Sequence, residues 1–292
     1  MTGEAAVGPR DGRLDGRVAL VTGGGQTPGA NIGNGRATAI LLAGRGASVV
    51  VLDRDEASAA ETARMITADG GSAVALPGDV TSARDWRTAV AACLDGYGRL
   101  DIVHHNVGIG SPPGGVPAAG TAGSGDGDGA DLDGWGAVMA VNAGSAVLMA
   151  RAALPAMREA GHGVITIVSS IAAVTATTSA RANTPIAYRM SKAALNSYTR
   201  ALALENARHG IRVNAIMPGL IDTPMGVDTA ARARGVDRDT YAARRDEAVP
   251  LRGGMGSAWD VAHAAAFLAG DEAAFITGVV LAVDGGQSAR SG

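Results

Sequence analysis

"RVALVTGGGQTPGANIGNGRATAILLAGRGASVVVLD" spans residues 17–53. A β-branched apolar run (17–23) leads into a glycine-rich loop. An Ala/Leu stretch (35–45) follows and predicts a helix. A second apolar run (47–53) closes the segment. Both runs are apolar throughout rather than alternating, which is the pattern of parallel strands covered on two faces. The loop holds six glycines between Thr22 and Ala37. A phosphate cradle needs a strand, a tight turn and a helix N-terminus, whose N–H groups carry partial positive charge. The common G-x-G-x-x-G does not fit, because its third glycine falls on Pro28 or Thr38. No Gly-Lys-Ser/Thr follows either, so a nucleoside-triphosphate loop is excluded. Taken alone, the loop reads equally as a cradle or as a plain turn. Asp53 adds weight to the cradle. It closes the second run 20 residues after Gly33, the spacing at which a carboxylate accepts from a ribose 2′-hydroxyl.

The same rhythm continues along the chain. Further strands are expected at 72–79, 100–106, 163–170, 211–219 and 279–286, with helices at 56–69, 135–159 and 187–209. Thr81 is the expected cap of the helix after 72–79, and Pro155 is expected to bend or end helix 135–159. "SAWD" (257–260) reads as a capping box with Asp in place of Glu or Gln. Seven strands alternating with helices predict an α/β fold: a doubly wound, seven-stranded parallel Rossmann-type sheet with helices on both faces. Ligand chemistry in such sheets lies at the carboxyl edge. We expect a flexible tail over 1–15 and one domain over 16–292. Loop insertions are expected at 24–32, 108–134 and 171–186, with a substrate lid at 221–256. The lid contains Arg232, Arg234, Arg238, Arg244 and Arg245, read as a solvated face rather than an anion site.

Bulk properties narrow the class. The 292 residues carry a net charge of −3, with 47% hydrophobic residues, which argues against nucleic-acid binding. The one cysteine, Cys93, rules out an intramolecular disulfide framework and fits a reducing compartment. No apolar run of membrane-spanning length and no signal peptide are expected. A cytoplasmic protein is the expectation.

The chemistry is concentrated in "AYRMSK" (187–192). Tyr188 and Lys192 are four residues apart and share a helix face. A nearby ammonium stabilises phenolate and makes Tyr a usable acid/base near neutrality. The pattern is common by chance, but Ser169-Ser170 ends the preceding strand and Asn142 sits in an otherwise apolar helix.

With these residues the chain resembles the short-chain dehydrogenase/reductase family over about 17–286. Thr22-Gly23 and Gly33-Asn34-Gly35 match the ends of its T-G-x-x-x-G-x-G turn. Asp79-Val80 matches the pair beside the adenine. "HNVG" (105–108) matches N-N-A-G, with His105 and Val107 as departures. Asn142, Ser170, Tyr188 and Lys192 match the catalytic tetrad, and "PGLIDT" (218–223) the nicotinamide segment. Against the family pattern the glycine turn carries about six extra residues, with Gly29 competing with Gly33 for the second glycine position. The Ser170–Tyr188 spacing is 18 residues rather than about 13.

The resemblance implies an NAD-dependent oxidoreductase that interconverts a secondary alcohol and a ketone. Tyr188 would be the acid/base, assisted by Ser170, Lys192 and Asn142. The cofactor would contact Gly23, Gly33, Gly35, Asp53, Asp79, Val80, Asn106, Gly108, Tyr188, Lys192, Pro218, Gly219, Ile221 and Thr223. No metal is implied. Asp53 argues for NAD, while Arg54 leaves NADP open. A nucleotide-sugar epimerase would need a larger C-terminal domain, and a non-catalytic dinucleotide-binding regulator would be expected to have a broken tetrad. The resemblance also implies a homotetramer or dimer joined through 135–159 and 187–209.

Overall fold

The computed structural model describes residues 12–110, 132–175, 184–251 and 253–290. Seven strands form one parallel sheet: β1 (Val18–Thr22), β2 (Ser48–Asp53), β3 (Ser72–Pro77), β4 (Ile102–His105), β5 (Gly163–Val168), β6 (Ile211–Pro218) and β9 (Val280–Val283). Their order is β3-β2-β1-β4-β5-β6-β9, and every pairing is parallel. The strand order reverses between β1 and β4. The crevice above that switch point is where open α/β sheets bind ligands.

Alternation along β1 explains why its residues are apolar on both sides. Val18 and Leu20 face one core, with Trp86, Met149, Ile165 and Leu195. Ala19 and Val21 face the other, with Leu42, Ile66 and Ala266. The first layer consists of α3 (Ala83–Tyr97), α5 (Ser145–Ala160) and α6 (Ile186–Asn206). The second consists of α1 (Asn34–Gly44), α2 (Glu56–Ala68) and α9 (Ala258–Ala269). Fully burying one Leu or Ile contributes about 1.5–3 kcal/mol, so truncating Leu20 would open a cavity on the sheet axis.

Several local expectations change. The order of the chain begins before residue 15: Leu14 is fully buried, and its N–H donates to the Arg45 carbonyl at 2.7 Å. The cap of α3 is Ser82, which accepts from Asp85 N, while Thr81 instead hydrogen-bonds the Asp79 carboxylate. Pro155 does not end its helix, which continues to Ala160 and stops at Gly161 in the left-handed region. Ser257 and Asp260 form the capping box of α9. Of the expected loop insertions, residues 111–131 and 176–183 lie outside the described residues.

Three features had no signature in the sequence reading. A short ladder pairs β7 (Ile221–Asp222) with β8 (Gly256–Ser257). Residues 221–256, expected to be a lid, contain a π-turn (Pro224–Asp228) followed by α7 (Thr229–Ala233) and α8 (Arg238–Asp246). A second π-turn, Ala140–Gly144, joins α4 (Leu132–Met139) to α5. The helical run Gly134–Ala160 is long and apolar enough to cross a membrane by composition, contrary to the expectation that no such run exists. Its inner face, with Met149, Ala153 and Met157, instead fills the core.

Candidate active site

The glycine turn is held open by backbone geometry. Gly23 has φ +63, its N–H donates to Leu52 O at 2.8 Å, and its carbonyl accepts from Asn106 Nδ2 at 3.1 Å. A Cβ on Gly35 would stand 1.9 Å from Gly23 O, so α1 begins hard against the strand end. Gly33 occupies the N-cap position of α1. No side-chain cap and no acidic residue lies in the first turn, so the amides at this end keep donors for an anionic ligand.

Asp53 ends β2 beside this turn. Its Oδ2 accepts from Gly25 N at 3.0 Å and its Oδ1 from Asp55 N at 3.1 Å. Each carboxylate oxygen keeps a further lone pair for a hydroxyl donor. Arg36 turns toward α2 instead, donating to Thr62 Oγ1 at 2.9 Å and to Ser58 O at 3.0 Å. Arg54 is exposed.

The extra residues of the turn form a built loop. Gln26 Oε1 accepts from Gly33 N at 3.1 Å, and Gln26 N donates to Ser58 Oγ at 2.8 Å. The tip reaches the lid: Ala30 N donates to Asp228 Oδ1 at 3.0 Å. A Cβ on Gly29 would meet Pro224 at 2.7 Å. Gly29 therefore packs on the lid, and Gly33 stands at the helix. Arg238 pairs with Asp222 at 2.7 Å and Asp228 at 3.4 Å, while Arg234 and Arg245 flank the Tyr241 ring. These three lid arginines hold the lid to itself.

The next loops along the edge supply the remaining wall. Asp79 is exposed after β3, and buried Val80 accepts from Trp86 Nε1 through its carbonyl at 2.8 Å. A Cβ on Gly108 would stand 2.9 Å from Lys192 Nζ, so the glycine lines the space beside the ammonium. Beyond β6, Pro218 leads to Gly219, where a Cβ would meet Gln287 Oε1 at 2.3 Å. Ile221 is buried, and Thr223 caps the lid π-turn by accepting from Gly226 N at 3.1 Å.

At the centre, the Ser170 side chain lies near the Tyr188 hydroxyl and acts to lower the Tyr188 pKa. Burial pushes that pKa up more strongly. The expected lowering by Lys192 is therefore not what dominates here: the ammonium lies 5.6 Å from the ring centroid, over the ring face. Lys192 is 2% exposed and donates to Val168 O at 2.8 Å. Burial pushes its amine down to about 8. One of its three N–H donors is used in that bond, leaving two for hydroxyl acceptors such as a ribose.

The adjacent serine has a different task. Ser169 is buried and donates to Lys192 O at 3.1 Å, so Ser170 is the serine that meets Tyr188. Asn142 is fully buried, and its side chain is fully committed. Oδ1 accepts from Ile109 N at 2.7 Å, and Nδ2 donates to Ile109 O at 3.0 Å and Ser191 Oγ at 2.9 Å. It fixes the loop beside Gly108 rather than touching Tyr188 or Lys192.

Sequence reasoning missed several supporting residues. Arg189, next to Tyr188, donates to Thr184 O at 3.2 Å and to Thr175 O, closing the two ends of the 176–183 insertion. Gln26 and Asp228 organise the turn and the lid. Gln26 and Arg189 lie inside the quoted glycine loop and Y-x-x-x-K stretch, but at positions neither pattern specifies. Only the position of Arg189, one residue past the tyrosine, could have drawn attention.

Known proteins resemble this chain along nearly its whole length. The family model described as enoyl-(acyl carrier protein) reductase matches residues 29–288. The cis-4-hydroxycyclohexanecarboxylate dehydrogenase of Sinomonas cyclohexanicum is 37% identical over 94% of this chain and 97% of its own. The 2,5-dichloro-2,5-cyclohexadiene-1,4-diol dehydrogenase LinX of Sphingobium indicum is 35% identical over 94% and 98%. The solved structure of levodione reductase superposes with a TM-score of 0.82 at 28% identity, covering 96% of this chain and all of that one (100%).

Proposed function

The chain belongs to the short-chain dehydrogenase/reductase family, and from that premise we propose that it is an NAD-dependent enzyme interconverting a secondary alcohol and a ketone by hydride transfer. That it is an oxidoreductase acting on CH–OH groups follows from its relatives. The cofactor, the roles of individual residues and the substrate are our reading. One observation carries it: the buried Lys192 ammonium stands 5.6 Å over the Tyr188 ring, with Ser170 beside the Tyr188 hydroxyl.

A nicotinamide dinucleotide, when bound, supplies the centre that takes or gives the hydride. Tyr188 exchanges the proton with the substrate oxygen, and Ser170 donates a hydrogen bond that fixes that oxygen. The two remaining donors of Lys192 hold ribose hydroxyls, and the positive charge favours phenolate as the proton leaves. Asn142 holds Ile109 and Gly108 against the lysine. The pinned Asp53 carboxylate supports NAD over NADP, because a 2′-phosphate would face it at close range. The other contacts named from the sequence line the same edge and belong to the same proposal.

The substrate we infer is a cyclic secondary alcohol, since two relatives are named for six-membered-ring alcohols. A homotetramer in the cytoplasm completes the reading. The assembly, tetramer or dimer, is supported by an apolar groove between residues 139–147 and α6, lined also by Leu195 and Tyr198. Sedimentation velocity would test the assembly.

The decisive experiment follows absorbance at 340 nm with cyclic and linear alcohols and ketones, using each cofactor. Tyr188→Phe is expected to bind NADH normally and lose at least about a hundredfold in turnover. Retained turnover in that variant refutes the acid/base role.

A further inference from the structure

One buried imidazole joins the cofactor turn to the helix that carries Asn142. His105, the last residue of β4, is 1% exposed. Its Nδ1 lies 3.0 Å from Thr22 Oγ1 and its Nε2 2.8 Å from Ser145 Oγ. The Ser145 hydroxyl donates to Val141 O at 2.5 Å.

The proton positions follow from counting donors. A hydroxyl carries one proton. With that proton on Val141 O, Ser145 Oγ must accept from His105 Nε2–H. The neutral ring then has Nδ1 as its acceptor, so Thr22 Oγ1 donates to it. All three bonds point one way, from Thr22 through His105 and Ser145 to the Val141 carbonyl. Burial keeps the ring neutral, pushing its pKa down to about 3 with help from Lys192 and His104.

Both ends of this chain reach the site. Thr22 precedes Gly23, whose carbonyl packs under Gly35. Val141 precedes Asn142 within the π-turn. Asn142 clamps Ile109, and its neighbour Gly108 faces Lys192 Nζ across the space a Cβ would fill. We infer that His105 is a positioning residue that holds the Thr22–Gly23 cofactor turn and the Asn142–Gly108 wall in one register. The inference rests on the roles proposed above for Lys192 and Asn142. An Asn here, as in the motif the segment resembles, is too short to reach both hydroxyls. The imidazole spans the gap because its two nitrogens sit on opposite sides of the ring.

Two substitutions cut the strut at different ends. An Asn amide lies where Nδ1 lies, so His105→Asn keeps the Thr22 bond and strands Ser145. A Gln amide lies where Nε2 lies, so His105→Gln keeps the Ser145 bond and strands Thr22. NADH affinity is read by fluorescence titration, which needs no turnover. Turnover is read at saturating NAD with the best alcohol from the panel.

His105→Gln is expected to weaken NADH binding about tenfold and leave kcat within about threefold. His105→Asn is expected to lower kcat about tenfold, leave NADH affinity within about threefold, and move the limb of the pH–kcat profile set by Lys192. Thr22→Val and Ser145→Ala break the same bonds from the far side and must reproduce the two patterns in turn, which covers a His105 variant that fails to fold. Equal losses in both variants, or changes under twofold in both, overturn the inference. Turnover retained by Tyr188→Phe would sink the proposed chemistry instead, and the NADH titration would still judge His105.

Discussion

Lys192→Met is expected to abolish turnover and yet make the protein more stable at pH 7. The ammonium is 2% exposed, and its protein hydrogen bond is to Val168 O. Burial moves its pKa from 10.5 to about 8. At about 1.36 kcal/mol per pH unit, the folded state carries a penalty of roughly 3 kcal/mol for the charge. The sign follows from the depressed pKa of a base. The penalty is fully present below about pH 8 and is relieved as pH rises from 8 toward 10.5. Methionine fills the same channel without charge but leaves Val168 O without its donor, a cost of about 1 kcal/mol. The net gain at pH 7 is about 2 kcal/mol, which raises Tm by about 5 °C for a chain of this size. By pH 10 the gain should vanish or reverse. Thermal melts of both proteins without cofactor, at pH 7 and near pH 10, check this. A lower Tm for the variant at pH 7, or a difference independent of pH, would refute the claim that the site holds its lysine at the expense of stability.

Acid sensitivity should come from the two histidines that end β4. Burial moves His104 to about 4 and His105 to about 3, so both stay neutral when folded and take up protons when unfolded. That stability is present above about pH 6.5 and is lost as pH falls toward those values, on the order of 4 kcal/mol by pH 5. His105→Asn should remove about half of the slope of Tm against pH over that range. Gly35→Ala should lower Tm and weaken NADH binding at least tenfold, because its Cβ falls 1.9 Å from Gly23 O and overpacking costs about 1–3 kcal/mol; unchanged calorimetry and titration would contradict the described turn. Asp53→Ala should erode the preference for NAD in kcat/KM by about tenfold, and an unaltered NAD-to-NADP ratio would remove the carboxylate from the selection.

The fold was legible because its signal is collective. Runs such as "SVVVLD" and "GVITIV" are apolar on both faces, and only a two-sided parallel sheet uses such strands. The spacing of Tyr188 and Lys192 put them on one helix face, while Ser170 was named only through the family resemblance and against an unusual spacing. What escaped depends on partners far away in the chain. The cap of α3 falls on Ser82 rather than Thr81 because Asp79 takes the threonine hydroxyl. The π-turn at Ala140–Gly144 has no sequence mark, although it presents Asn142. His105 read only as a departure from a motif, because its meaning lies in Thr22 and Ser145, 83 residues upstream and 40 downstream.

The bond from Ala30 to Asp228 joins two loops from opposite ends of the chain. It spans 198 residues of sequence, and Gly29 has no room for a side chain beside Pro224. The two loops have therefore ceased to be independent modules. A lid transplanted from a relative with a short glycine turn would arrive without an acceptor for the Ala30 amide and with the wrong contour for Gly29. Any exchange of residues 221–256 with a relative must carry residues 24–32 with it.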